Sequence, residues 1–97
     1  MSSDCHAAAE RGAASATCFS IHACAEPGVM PRVLELFAKR GLVPQRWHSV
    51  IGDPEESALT IDIEVGGLCR DTVEYVANCM RAICGVACVR TAQTRAG

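Results

Sequence analysis

No C-x-x-C pair occurs among the seven cysteines of this sequence, at positions 5, 18, 24, 69, 79, 84 and 88. Their spacing therefore lacks the zinc-ribbon and thioredoxin signals. The count is odd, which argues against a fully paired disulfide framework. Reduced cysteine behaves as a small hydrophobe and is often buried, so most of the seven are expected to fill the core of a cytoplasmic protein. Basic charge is not in excess either. The net charge is −2, which gives no electrostatic footprint for nucleic acid. No apolar run approaches the roughly 20 residues that span a bilayer, so no membrane partner is expected. The first residues lack an apolar signal-peptide core, because Asp4, Glu10 and Arg11 interrupt them. No G-x-S-x-G elbow occurs, and the glycines form neither a dinucleotide fingerprint nor a P-loop. These absences leave no cofactor site and no catalytic residue to nominate.

What remains is ordinary for a single soluble domain: 97 residues, 49% hydrophobic and 21% charged. Residues 1–16 are small and polar and read as a tail, as do residues 93–97. Between them, at residues 17–92, four strands and two helices can be placed. Residues 17–24 alternate, with Phe19, Ile21 and Ala23 on one side and Ser20 and His22 on the other. From Val29 to Arg40 a helix carries Val29, Val33, Leu36 and Phe37 on one stripe, widened by Met30 and Leu34. Gly41 stands where a left-handed cap belongs. Residues 42–52 form a second strand, in which Pro44 points to an edge position and the Pro44–Trp47 spacing to a bulge. Asp53 to Ser57 make a turn. In residues 58–65, Leu59, Ile61, Ile63 and Val65 alternate with Thr60, Asp62 and Glu64. A second helix from Cys69 to Cys84 gathers Cys69, Val73, Val76, Ala77, Met80 and Cys84 on one face. Gly85 ends it, and residues 86–92 make the last strand.

The order β-α-β-β-α-β is the split βαβ of ferredoxin-like α+β sandwiches. Right-handed crossovers place both helices on one face of a four-stranded antiparallel sheet. The first strand belongs in the centre beside the third and the fourth, and the second strand at an edge. The other sheet face then carries Cys18, Ser20, His22, Cys24, Thr60, Asp62, Glu64, Cys88 and Arg90. So small a domain buries only about 60% of its unfolded surface. Pairing of two copies, or docking on a larger protein, would cover the remainder.

The stretch Ala25–Glu26–Pro27–Gly28–Val29–Met30–Pro31–Arg32–Val33, followed by Leu36–Phe37 and Arg40–Gly41, resembles the signature of ACT domains, small amino-acid-sensing regulatory modules. Within that family the chain is most similar to the small regulatory subunit of acetolactate synthase. The similarity continues through LTIDIEV (59–65) and VANCMRAICGVACVRTA (76–92). The resemblance implies a regulatory, non-enzymatic, cytoplasmic protein. It implies a homodimer and a large catalytic subunit of a thiamine-diphosphate enzyme as partner. It also implies an amino-acid ligand at residues Ala25, Glu26, Pro27, Gly28, Val29 and Met30, held through the amides of Gly28 and Val29 and that of Met30. The chemistry of the loop agrees. Gly28 leaves the main chain bare, and the first amides of a helix suit a carboxylate. Branched-chain-sensing relatives carry asparagine three residues before this glycine; here the residue is Ala25, and Glu26 adds a negative charge beside it. An ACT-fold structural subunit without ligand binding is therefore a further expectation.

A different class is also open. His22, His48, Asp62, Glu64 and Cys24 fall on the uncovered sheet face, where a small metal- or thiol-handling protein would present them.

Overall fold

The computed structural model describes residues 15–52, 55 and 57–95. Its elements are β1 (Ser15–Cys24), α1 (Val29–Lys39), β2 (Arg46–Ile51), β3 (Ala58–Gly66), α2 (Arg70–Arg81) and β4 (Val86–Arg95). The strands form one antiparallel sheet in the order β2-β3-β1-β4. This is the βαββαβ arrangement read from the pattern, with β1 central and β2 at an edge. No helix among the described residues is long and apolar enough to cross a membrane.

Alternation along β1 and β3 builds the core. Phe19, Ile21 and Ala23 of β1 and Leu59, Ile61, Ile63 and Val65 of β3 are buried under the helices. The helices supply Val29, Val33 and Phe37 from α1 and Val73, Val76, Ala77 and Met80 from α2. The rings of Phe19 and Phe37 meet edge-on, 6.1 Å apart at 86°, the arrangement that aromatic quadrupoles favour. Helix α1 ends in a two-bond cap. Leu42 N–H donates to the Phe37 carbonyl at 2.9 Å and Gly41 N–H to that of Ala38 at 3.0 Å, with Gly41 at φ +68°. That left-handed turn is open to glycine at little cost.

Several local expectations change. The strands are longer than the alternation suggested. β1 begins at Ser15, and β4 runs to Arg95 because the β1–β4 ladder continues through Thr17↔Gln93 and Ser15↔Arg95. Residues 93–95 are thus strand, not tail; residues 1–14 and 96–97 lie outside the described residues. Pro44 lies ahead of β2 rather than within it, so the Pro44–Trp47 spacing needs no bulge. The irregularity falls instead between His22 and Ala23, where β4 advances from Cys88 to Val86. Helix α2 stops at Arg81, where Ala82 N–H is shared between the carbonyls of Asn78 and Cys79, both at 3.2 Å. Of the expected turn, Asp53, Pro54 and Glu56 lie outside the described residues, and Ser57 has φ +50°.

The cysteines are not core filler. Cys24 and Cys84 are exposed, and Cys18, Cys79 and Cys88 are half-buried, all five as free thiols. Cys69 is disulfide-bonded and stands just ahead of α2. The reason is positional. Cys18, Cys24 and Cys88 occupy the strand positions that face away from the helices, and Cys84 lies beyond the end of α2.

Candidate functional site

The loop between β1 and α1 is tied down on two sides. Cys24 N–H donates to the Gly85 carbonyl and Ala25 N–H to the Ser57 carbonyl, both at 2.8 Å. Three connections, β1–α1, β2–β3 and α2–β4, therefore meet at one end of the sheet. Within the loop, Glu26 N–H turns back to the Cys24 carbonyl at 2.8 Å, and Val29 N–H reaches the Glu26 carbonyl at 3.2 Å. Gly28 is the N-cap of α1, at φ −80° and ψ −10°, with no side-chain cap.

This geometry decides which first-turn amides are open. Pro27 and Pro31 have no N–H, and Val29 spends its own inside the loop. Gly28 and Met30 keep theirs free of any partner. They stand at the positive end of α1, where a carboxylate is favoured by about 0.3–1 kcal/mol. The side chains divide differently. Val29 is fully buried, and Ala25 and Met30 are half-buried against the core. Pro27 and Glu26 are exposed.

Two charges complete the loop. The guanidinium of Arg32 folds back over Gly28, its Nη1 only 2.7 Å from where a Cβ on Gly28 would stand. Sequence reasoning left Arg32 out of the site. The available signal is that helical side chains lean toward the N-terminus, so a long cation four residues after Gly28 covers it. Glu26 lies on the other side, its Oε1 3.5 Å from where a Gly85 Cβ would stand. Its negative charge therefore sits by the α2–β4 turn rather than over Gly28.

The open sheet face carries the second constellation. His48, Asp62, Ser20 and Arg90 stand in one row across all four strands, and Ser20 Oγ donates to Asp62 Oδ1 at 2.9 Å. Aspartate stands between serine and histidine here. A nucleophile would need histidine in that middle place, so the row does not make a catalytic triad. No group of three or more His, Cys, Asp or Glu among the described residues could hold a metal ion. At the far end of the sheet from Gly28, a cleft of about 200 Å³ is lined by Arg70, Val73, Glu74, Thr91 and Gln93.

Comparison with known proteins bears on fold and family. Residues 10–96 match the family model described as an ACT-like domain. No curated protein matches the sequence. Among solved structures, the chain is similar to the ACT domain from GTP pyrophosphokinase of Chlorobium tepidum, at 13% identity and a TM-score of 0.68, covering 79% of this chain and 96% of that one. It is also similar to an uncharacterized protein from Thermotoga maritima, at 17% identity and a TM-score of 0.64, covering 82% and 96%. The regulatory subunit of aspartate kinase from Thermus flavus is similar at 15% identity and a TM-score of 0.57, covering 84% of this chain and 52% of that one. At such identities the likeness concerns the fold.

Proposed function

This chain belongs to the ACT-like domain family, and from that premise we propose that it is a non-catalytic regulatory protein that senses an amino acid. The proposal names it a cytoplasmic small subunit or activator of an acetolactate synthase-like, thiamine-diphosphate enzyme of branched-chain amino-acid synthesis. The observation that carries the ligand reading is the loop at Gly28. Two open amides, at Gly28 and Met30, stand beside the Arg32 guanidinium on a loop anchored from both flanks. An α-carboxylate fits that set by charge and by donor count.

A homodimer belongs to the same proposal. Among the described strands β2 has a neighbour on one side only, and Val50 and Ile51 at its end are 47% and 57% exposed, with Leu34 of α1 at 47%. An unpaired edge with exposed apolar side chains favours strand pairing with a second copy. A ligand between copies regulates only if it binds two quaternary states with different affinity.

Titration calorimetry against leucine, isoleucine and valine, with other amino acids as controls, tests the sensor. Saturable heat that Gly28→Asp abolishes is the expected result, because the new carboxylate would occupy the anion position. Absence of binding to every amino acid tried would sink it. The catalytic partner is tested separately, by affinity capture from the native cell. Failure to recover a thiamine-diphosphate enzyme would count against that assignment while leaving the sensor intact.

Ala25 favours a second reading, a structural ACT subunit without ligand binding. Its methyl packs on the core and presents no hydrogen-bonding group to a ligand. On this reading Gly28→Asp leaves activation of the partner unchanged.

A further inference from the structure

The sheet face opposite the helices is half-buried along its middle and has no cover among the described elements. Its central row carries opposite charges on the two sides of the central strand. Ser20 of β1 is in register with Asp62 of β3 on one side and with Arg90 of β4 on the other. The column through Ser20 is small and neutral at its centre, with Cys18 before it. In the neighbouring rows, Cys18 stands between Glu64 and Ala92, and His22 between Thr60 and Cys88.

We propose that this face binds the same face of a second copy, about a two-fold axis that runs along β1. The proposal does not rest on ligand binding or on pairing at β2. A rotation about that axis exchanges the two flanks of β1, so β3 of each copy lies over β4 of the other. Asp62 then faces Arg90 of the second copy, and the symmetry supplies that pair twice. Glu64 faces Ala92, Thr60 faces Cys88, and Cys18, Ser20 and His22 face their own counterparts. No two like charges among Asp62, Glu64 and Arg90 are opposed. Aligned sheets pack about 10 Å apart, within reach of an arginine and an aspartate extending toward each other.

Other two-folds along the strands do worse. An axis between β3 and β1 sets Arg46 and His48 over the strand that carries Arg90. An axis on β3 sets Asp62 against Asp62. An axis between β2 and β3 matches Arg46 with Glu64 but overlaps two strands instead of three. The β1 axis leaves β2 outside the overlap, where Arg46 and His48 stand opposite Glu64 and Asp62 of their own sheet. The edge at β2 stays free, so both kinds of pairing can coexist.

Charge reversal tests this by sedimentation velocity on the full chain. Asp62→Arg and Arg90→Asp each oppose like charges twice across the axis, and each should weaken association at least about tenfold, lowering the mass at concentrations near the parent's dissociation constant. Mixing the two variants should restore the heavy species, because every cross pair is again Arg against Asp. If β2 also pairs copies, its axis and the β1 axis stand about 12 Å apart and never meet, so the parent forms an open assembly that the variants cut back to dimers; if β2 does not pair, the change is from dimer to monomer. The Arg90 side chain is exposed and makes no hydrogen bond or ion pair among the described residues, so Arg90→Asp remains informative even if Asp62→Arg misfolds on losing the Ser20 bond. An unchanged dependence of mass on concentration for Arg90→Asp would overturn the proposal, as would a mixture of two folded variants that does not reassociate.

Discussion

At Gly28 and Gly85 the missing Cβ has different consequences. Gly28 lies at φ −80°, a conformation open to any residue, and an added methyl meets only the far end of Arg32. Gly28→Ala should therefore move a flexible guanidinium and change stability by less than about 0.5 kcal/mol. Gly85 lies at φ +99°, and its methyl would meet Val29 Cγ2 at 3.1 Å. Gly85→Ala should cost about 1–2 kcal/mol from the backbone conformation alone. Urea unfolding of the two variants checks the contrast, and equal losses would contradict it. Arg32→Ala separates charge from packing at the same loop. It removes an exposed cation without touching the core, so it should leave the urea midpoint near that of the parent. If the sensor reading holds, it should also weaken amino-acid binding by about tenfold, the share of one charge-assisted contact. Calorimetry showing undiminished affinity would place the carboxylate elsewhere.

Each helix is held by one stripe, and the stripes differ in what truncation would remove. Phe37 is 1% exposed and faces Phe19 edge-on. Phe37→Ala should cost about 3–5 kcal/mol by cavity formation, read from the denaturant midpoint at unchanged slope. The stripes and the alternation of β1 and β3 were legible from sequence because burial on one side leaves a period of 3.6 or 2. Less legible were the places where alternation says nothing. Pro44 was read into β2 because the apolar neighbours of the strand continue past its start. Gln93 and Arg95 were read as tail because polar residues at a strand end carry no signal, although the β1 ladder pairs them. The cysteines misled for a different reason. Their chemistry permits burial, whereas the alternation alone already puts Cys18, Cys24 and Cys88 on the face without helices, where the register has them. Of the site, the Pro27–Gly28 loop was legible and Arg32 was not. The order of amides along the chain also could not reveal that Val29 N–H turns back to Glu26.

Among the described residues, the sheet has one face covered by helices, one face without cover and an edge strand ending in exposed aliphatic side chains. Ile51 is exposed and lies outside the core, so Ile51→Lys should leave the monomer fold intact. If β2 joins two copies, that change should lower the sedimenting mass while Arg90 pairing persists. A mass unaffected by Ile51→Lys would remove the β2 edge as an interface. The anchoring of the Gly28 loop has a further consequence, for the order of events on the ribosome. Its two external bonds come from Ser57 and Gly85, and its parent strand β1 pairs with β3 and with the last strand, β4. Strand β1 must therefore wait for the later β4 of the same domain before its loop is held in place. If the sensor reading holds, the loop's signature is synthesised early in this domain but is held in place only once Gly85 has followed. On that reading, nascent chains stalled before Gly85 has left the exit tunnel should carry the whole signature and bind no amino acid.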